Sequence, residues 1–260
     1  MLLIRSLLFN TAFYLNLALW LVAAMVTMVL PPRFLLMVAL GWAQSSLWLM
    51  RVIVGTHYEI KGTENIPPGG IIMAAKHQST WETFALVTVF RNPVYILKRE
   101  LTWLPFFGWC LIKLRMIPVD RGARSRALQG VTRRAKVELG QNGRQLMIFP
   151  EGTRRPAGAE PAYKYGVTHL YAELGVPCVP VALNAGLFWP RRSLIKRPGT
   201  IRVEIMPAIP PGMDKVAFHA LLQEQIETAS NRLLADGLAE LDQLGVPPPV
   251  SMRQEARPSA

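Results

Sequence analysis

The sequence predicts an α/β fold, a mixed sheet flanked by helices, preceded by an N-terminal membrane-associated hairpin of two helices. Six or seven short apolar segments have the length of buried strands and alternate with segments of helical periodicity, which is the pattern of a sheet covered by helices. Two longer apolar stretches come first, and hydrophobic residues make up 51% of the 260-residue chain, with a positive mean hydropathy. This composition indicates contact with a membrane, and the length is sufficient for one sizeable core.

The first 56 residues carry the two apolar stretches of the predicted hairpin. The first runs from about Leu7 to Leu30 and is long enough to cross a bilayer, which takes roughly 20 apolar residues. Pro31-Pro32-Arg33 breaks it, and the second runs from Phe34 to about Val54. Residues 1–56 are therefore predicted to anchor the chain, by spanning the bilayer or by entering one leaflet. The length of the first stretch argues against a cleaved signal peptide, while a buried helical pair in a soluble core stays open.

Residues 57–245 are predicted to form one α/β domain, and the proline-rich, polar residues 246–260 a disordered tail. Apolar or alternating segments bounded by turns predict the strands, and longer segments of helical spacing predict the helices. The segment Ile71–Ala75 follows a Pro-Pro-Gly-Gly turn and is typical of a buried strand. The other strands are predicted at 57–60, 94–97, 116–121, 146–149, 179–183 and 201–205. Helices are predicted at 79–90, 124–139, 165–174 and 214–244.

Positive charge is concentrated in one part of the chain. Residues 91–155 hold 14 Lys and Arg against 4 Asp and Glu, a net charge of +10 out of +12 for the whole chain. Such a segment indicates a phosphate-bearing partner: nucleic acid, anionic lipid headgroups or a phosphorylated substrate. Nucleic acid is disfavoured because no recognition motif accompanies the basic residues and the chain carries a predicted anchor. Anionic membrane lipids and a phosphorylated substrate remain.

A histidine and a carboxylate stand where the strand Ile71–Ala75 gives way to the next helix. His77 and Glu82 are five residues apart, and on one regular helix they would point roughly 140° away from each other. They can meet only if His77 precedes the helix, which a helix capped by Ser79 allows. A histidine held by a carboxylate is the arrangement of a general base. In the alternative, Ser79 and Glu82 form a capping box, and Glu82 bonds to the backbone N–H of Ser79 without touching His77.

Four short blocks of sequence follow one another along the chain. They are His77 with an acid five positions on, Lys98-Arg99-Glu100-Leu101, Phe149-Pro150-Glu151-Gly152-Thr153-Arg154 and Val176-Pro177-Cys178-Val179-Pro180-Val181. Over about residues 55 to 210 they resemble the blocks of the glycerolipid acyltransferases, most closely the bacterial 1-acylglycerol-3-phosphate acyltransferases. The family normally has aspartate where this chain has Glu82. The extra methylene requires the supporting backbone to lie slightly further from His77.

The resemblance implies a membrane-bound O-acyltransferase that moves a fatty acyl group from a thioester donor to the 2-hydroxyl of 1-acylglycerol 3-phosphate (lysophosphatidic acid), giving phosphatidic acid. In this reaction His77 would be the general base, and Glu82 would orient it. The acceptor phosphate would be bound by Arg154, Lys98, Arg99 and Arg121. The site would be shaped by Glu100, Glu151, Gly152 and Thr153. Two alternatives stay open: an acyltransferase for another lyso-lipid, such as lyso-ornithine lipid, and a non-catalytic scaffold that binds anionic lipid.

The expected co-substrate is acyl-CoA or acyl carrier protein, with no cofactor and no metal. No Gly-x-Ser-x-Gly sequence occurs, so a serine acyl-enzyme is disfavoured. The two cysteines, Cys110 and Cys178, lie in apolar segments, which makes a disulfide framework improbable and fits a reducing compartment. We therefore expect the chain at a membrane, on the cytoplasmic face of the bacterial inner membrane.

Overall fold

A computed structural model describes residues 1–120, 124–140 and 143–250, and within them seven strands form one sheet. The strands are β1 (Thr56–Lys61), β2 (Ile71–Ala75), β3 (Pro93–Lys98), β4 (Ile117–Val119), β5 (Gln145–Ile148), β6 (Cys178–Leu183) and β7 (Gly199–Ile205). Their order across the sheet is β1-β7-β6-β2-β5-β3-β4. All neighbours are parallel except β6 and β7, which are antiparallel. The sheet is therefore mixed, which confirms the predicted fold class.

Strand β2 lies in the middle of the sheet, and its position determines where the site is formed. It pairs with β5 on one side and β6 on the other, and β5 in turn pairs with β3. Because these strands are parallel, their carboxyl ends meet at one edge. Ends of parallel strands in open α/β sheets are where ligands usually bind, and three of the four sequence blocks follow directly from β2, β3 and β5.

Helices cover both faces of the sheet. They are α1 (Leu2–Val26), α2 (Pro32–Leu49), α3 (Trp81–Ala85), α4 (Phe107–Lys113), α5 (Arg124–Gly140), α6 (Gly166–Leu174), α7 (Ala185–Phe188) and α8 (Lys215–Gln243). Alternate residues of β2 divide the core in two, as the period of a strand requires. Met73 and Ala75 pack in one hydrophobic cluster with α1, α2, α3 and α7. Ile72 and Ala74 pack in the other with α5, α6 and α8.

The N-terminal hairpin is packed onto the sheet along one side and exposed along the other. Phe9 and Phe13 of α1 are buried in the same cluster as the sheet and contact the ring of Trp189 at 5.3 and 5.2 Å between centroids. At the far end, Ala24 of α1 packs near Cys110 of α4. Residues 2–29 and 32–54 are long and apolar enough to cross a membrane. In an 18-residue apolar stretch of each, however, only 11% and 28% of the residues are buried. The inner side of the hairpin thus belongs to the core, and the outer side does not.

One predicted helix boundary differs from the structure for a local reason, and another agrees with it. The helix predicted at 79–90 is only α3, followed by a 3₁₀ turn at Leu86–Thr88. Thr83 and Thr88 donate their hydroxyls to the carbonyls three residues back, at 2.5 and 2.7 Å, and such bonds compete with the regular helix ladder. The long C-terminal helix begins as predicted, because Asp214 caps α8 by accepting the N–H groups of Val216 and Ala217.

The disorder predicted from residue 246 onward does not extend to the first five of these residues. Val246 packs against the core, Pro249 is buried, and the Arg197 guanidinium donates to the carbonyl of Pro247 at 2.8 Å. Residues 246–250 are therefore docked on the domain. The rest of the predicted tail lies outside the described residues.

Candidate active site

His77 lies in the loop between β2 and α3, directly beyond the carboxyl end of the central strand. The last bond of the ladder is made by the N–H of Lys76, which donates to the carbonyl of Val181 at 2.9 Å. The chain then leaves the sheet, and α3 begins at Trp81. His77 is therefore outside the helix, as a contact with Glu82 requires.

Glu82 accepts three hydrogen bonds through a single oxygen. Its Oε1 lies 2.9 Å from Nδ1 of His77, 2.7 Å from the backbone N of Gln78 and 2.6 Å from that of Ser79. Glu82 thus makes both contacts that the sequence posed as alternatives: it accepts the backbone N–H of Ser79, and it also contacts His77. Because the carboxylate is fully buried and anchored by two N–H groups, it fixes the orientation of the ring.

The imidazole of His77 is held on its face as well as at its edge. Its ring stacks on Phe149 with 4.0 Å between centroids and 18° between planes. The His77 side chain is only 14% exposed, and Nδ1 is occupied by Glu82. Nε2 makes no hydrogen bond to the described residues, so it is the ring nitrogen open to a bound molecule. Phe149 was quoted in the third block but was not predicted as a site residue.

The third block and the residue that follows it hold the backbone of His77 on both sides. Glu151 accepts the N–H of His77 at 3.0 Å, and the N–H of Arg155 donates to the His77 carbonyl at 2.8 Å. Gly152 supplies the turn between these contacts with a φ of +64°, a region that favours glycine. The chain segment after β5 therefore fixes the segment after β2. Thr153, predicted to shape the site, is exposed.

A buried ionic network lies behind this loop. Lys76, which is 3% exposed, forms ion pairs with Glu151 at 3.1 Å and with Glu227 of α8 at 2.6 Å. The Tyr163 hydroxyl donates to the same Glu227 oxygen at 2.8 Å. Burial raises the pKa of the Glu151 carboxyl, and the neighbouring Lys76 charge opposes that rise. Lys76 thus compensates the charge of Glu151, the carboxylate that accepts the backbone N–H of His77, and this role was not predicted from the sequence.

Arg154 lies next to the His77 loop. Its Nη1 donates to the hydroxyl of Thr80 at 2.5 Å, and Thr80 stands between His77 and Glu82 in the chain. The guanidinium of Arg191, from the segment between α7 and β7, donates to the carbonyl of Arg154 at 2.7 Å. Arg191 was not predicted, and the only sequence signal for it is the doubled arginine at 191–192. A guanidinium suits two phosphate oxygens, so this corner can hold an anion.

The second block forms a group of its own at the end of β3. Lys98 pairs with Glu100 at 3.0 Å, and both side chains are substantially exposed, as are those of Arg99 and Asp120. Arg99 pairs with Asp120 at 2.9 Å and lies over the ring of Trp103 at 5.5 Å. Strand β5 separates β3 from β2, so the block lies at the same edge as His77 but two strands away. Arg121, the remaining predicted phosphate ligand, lies outside the described residues.

Comparison with known proteins relates this chain to a family. Residues 57–184 match the family model described as Acyltransferase. The 1-acyl-sn-glycerol-3-phosphate acyltransferase of Pseudomonas aeruginosa is 43% identical over 169 residues, which are 65% of this chain and 65% of that protein. The protein of the same name from Saccharomyces cerevisiae is 30% identical over 166 residues, 62% of this chain and 54% of that protein. The match thus spans less than two thirds of the length of these relatives.

A solved structure has the same fold. The crystal structure of a 1-acyl-sn-glycerophosphate (LPA) acyltransferase from Thermotoga maritima superposes with a TM-score of 0.75, over 90% of this chain and 98% of that one. At 21% identity this likeness supports the fold alone. Since the fold includes the two N-terminal helices and the mixed sheet, the family model and the architecture agree. Residues 57–184 therefore form an Acyltransferase domain, by their match to that family model.

Proposed function

We propose that the chain is a membrane-bound O-acyltransferase that moves a fatty acyl group from a thioester donor to the 2-hydroxyl of 1-acylglycerol 3-phosphate. The observation that carries the proposal is the Glu82-held His77 at the strand edge, with Nε2 left for a substrate and Arg154 anchored to the same loop. The names of the relatives in Pseudomonas and Saccharomyces support the choice of acceptor.

In the proposed reaction His77 moves one proton. Its Nε2 takes the proton of the 2-hydroxyl while the oxygen attacks the thioester carbonyl, and the tetrahedral intermediate then expels the thiolate. The imidazolium returns the proton to the sulfur, which leaves as a free thiol. Glu82 stabilises the imidazolium through Nδ1 at 2.9 Å, and the stack on Phe149 keeps the ring in place.

Arg154 is proposed to bind the acceptor phosphate. In 1-acylglycerol 3-phosphate only four covalent bonds separate the phosphorus atom from the 2-hydroxyl oxygen, so the phosphate ligand must lie beside the base. Arg154 meets this condition through its bond to Thr80. Lys98 and Arg99 are two strands away and already paired with carboxylates, which favours a secondary role for them at the edge of the site.

The outer side of the hairpin is proposed to lie in one leaflet of the bilayer. Large apolar side chains repeat along α1 at helical spacing and are 59 to 72% exposed, namely Leu8, Leu15, Leu19, Val22 and Val26. The opposite side is fastened to the domain at both ends: Asn10 donates to the Leu194 carbonyl, and Lys113 donates to the carbonyls of Thr27, Met28 and Leu30. A helix attached to the domain at both ends along one side favours embedding from the opposite side over crossing the bilayer.

The donor is proposed to be acyl-CoA or acyl carrier protein, used on the cytoplasmic face of the bacterial inner membrane. Both carriers are anionic and suit a chain of net charge +12. Cys110 and Cys178 are free and buried, which is consistent with a reducing compartment.

Free-thiol release by detergent-purified enzyme tests the proposal. Acyl-CoA and acyl carrier protein loaded with a fatty acyl group would each be offered with lysophosphatidic acid, with lyso-ornithine lipid and without acceptor. We expect thiol release that requires lysophosphatidic acid, and the productive donor identifies the carrier. Thiol release only with lyso-ornithine lipid would identify that lipid as the acceptor instead. No thiol release from folded protein with any combination of donor and acceptor would favour the non-catalytic scaffold that binds anionic lipid.

Flotation with liposomes tests the membrane surface separately. Leu15→Ser with Leu19→Ser places two hydroxyls on the outer side of α1, and we expect the fraction bound to anionic vesicles to fall. The matched control is Val216→Ser, an exposed apolar residue of α8 that lies away from the hairpin. Unchanged flotation of the α1 variant would contradict the proposed orientation.

A further inference from the structure

We propose that Arg191 and Arg192 form, together with Arg154, one cationic site that binds the phosphate monoester of the acceptor. This inference rests on the proposed function and adds two residues to it. Neither lies in the four sequence blocks or in residues 57–184 that match the family model. We call Arg154, Arg191 and Arg192 the arginine cluster.

The first support is the unbalanced charge of the arginine cluster. Among the residues that the structure describes, no carboxylate lies within 4 Å of any of the three guanidinium groups, whereas Lys98, Arg99 and Lys76 all have such partners. Arg191 reaches over the backbone of Arg154 with a 2.7 Å bond to its carbonyl. Burial first, and then the charges of Arg192 and Arg154, lower the pKa of Arg191, which indicates that both of these charges act on Arg191. Like charges held together in this way are stabilised by a bound anion.

The second support is the way the segment carrying Arg191 and Arg192 is held. The buried ammonium group of Lys196 donates to the carbonyls of Ser193 and Leu194 at 2.7 and 3.3 Å. Asn10 of α1 donates to the same Leu194 carbonyl at 2.9 Å. The segment is thus fastened to the hairpin on one side and to the His77 loop, through Arg154, on the other. Guanidinium groups presented from a fixed segment lose little freedom when they bind.

The position of the arginine cluster favours the acceptor over the donor as the source of the phosphate. Arg154 is bonded to Thr80 in the His77 loop, and the acceptor has its phosphate four bonds from the hydroxyl that reacts. In coenzyme A and in acyl carrier protein the phosphates are separated from the thioester by the long pantetheine arm. A phosphate monoester carries close to two negative charges at neutral pH, which matches several guanidinium groups.

Steady-state kinetics of single variants test the inference. We expect Arg191→Gln and Arg192→Gln each to raise KM for lysophosphatidic acid about tenfold, with KM for the acyl donor unchanged. The matched control is Arg134→Gln, an exposed arginine of α5 for which we expect wild-type constants. Arg191 also holds the backbone of Arg154, whereas Arg192 makes no such bond to any residue that the structure describes. Arg192→Gln therefore tests direct binding apart from the positioning of Arg154. A rise in the donor KM instead would assign the cluster to the carrier phosphates, and unchanged constants in both variants would overturn the inference.

Binding of glycerol 3-phosphate keeps this test independent of the proposed function. Titration calorimetry on the full-length protein needs no turnover, and we expect about tenfold weaker binding in Arg191→Gln than in wild type. If wild type binds this probe but does not acylate lysophosphatidic acid, the proposed function fails while the anion site stands. If wild type and both cluster variants bind the probe equally, the anion site fails even where the acyltransferase is active.

Discussion

Shortening Glu82 to aspartate is expected to impair the enzyme, although aspartate is the residue usual in resembling sequences. One methylene less withdraws the carboxylate by up to about 1.5 Å. The contact between Glu82 and Nδ1 of His77 is 2.9 Å, so it would open to about 4 Å, beyond the range of a hydrogen bond. The same oxygen also accepts the N–H groups of Gln78 and Ser79, which hold it in place.

The size of the effect follows from what that bond does in the reaction. A hydrogen bond to a charged group contributes about 1.5 to 3 kcal/mol, and about 1.4 kcal/mol is a factor of ten in rate. Since the bond is strongest when His77 is charged, its loss should appear in kcat. We expect Glu82→Asp to lower kcat about 10- to 150-fold in the thiol-release assay, with KM little changed.

Two further variants distinguish the loss of side-chain length from the loss of charge and from a general effect of shortening a glutamate. Glu82→Gln keeps the length of the side chain but not its charge, and we expect a loss in kcat of at least the same size. Glu59→Asp is the control for shortening a glutamate, because Glu59 is exposed and far from His77 in the sheet order. Wild-type kcat in Glu82→Asp, with an unchanged thermal midpoint, would refute the reasoning.

Three predictions concern stability. Lys76→Met leaves the carboxylates of Glu151 and Glu227 without the cation that pairs with them. We therefore expect the free energy of unfolding to fall by about 3 kcal/mol in a urea titration. An unchanged urea midpoint would contradict the buried network. Burial and the charge of Arg197 lower the pKa of Lys196 to about 8 from an ordinary 10.5. Between these two pH values the unfolded chain binds more protons than the folded chain, so the free energy of unfolding of wild type should rise with pH. Lys196→Met should lose that rise, and an equal dependence on pH in both proteins would contradict the prediction. Burial raises the pKa of the Tyr95 phenol, and its hydroxyl has no hydrogen-bond partner within the described ranges. Tyr95→Phe should therefore leave the melting temperature unchanged or raise it. A clear fall in the melting temperature would show that the hydroxyl is hydrogen-bonded.

The centre of the site could be predicted because it is local in sequence. His77 and Glu82 lie on one strand-loop-helix unit, so their meeting needs only a helix that starts after His77. The sequence could not decide between the two partners of Glu82, because one carboxylate oxygen accepts several bonds and a glutamate has the reach to use them. The structure shows both contacts on Oε1.

The periphery of the site depends on contacts between distant segments, which the sequence does not contain. Lys98 and Arg99 follow a strand as His77 does, but β5 is inserted between the two strands, so the second block stands apart. Arg191 joins the site only because the segment after α7 folds over Arg154. The hairpin was predicted from the length of its apolar stretches. Its packing against the sheet depends on Phe9 and Phe13, and these cannot be identified from the sequence because every side of the helix is apolar.

The most direct measurement of the central claim is the product of His77→Ala. Wild type and His77→Ala would be incubated with 1-acylglycerol 3-phosphate and the donor that supports thiol release, and phosphatidic acid would be measured by mass spectrometry. His57→Ala is the matched control, because His57 is exposed on the edge strand β1. We expect wild type and His57→Ala to form phosphatidic acid acylated at the 2-hydroxyl, with the rate about 100- to 10,000-fold lower in folded His77→Ala. Phosphatidic acid formed by His77→Ala at the wild-type rate would contradict His77 as the general base.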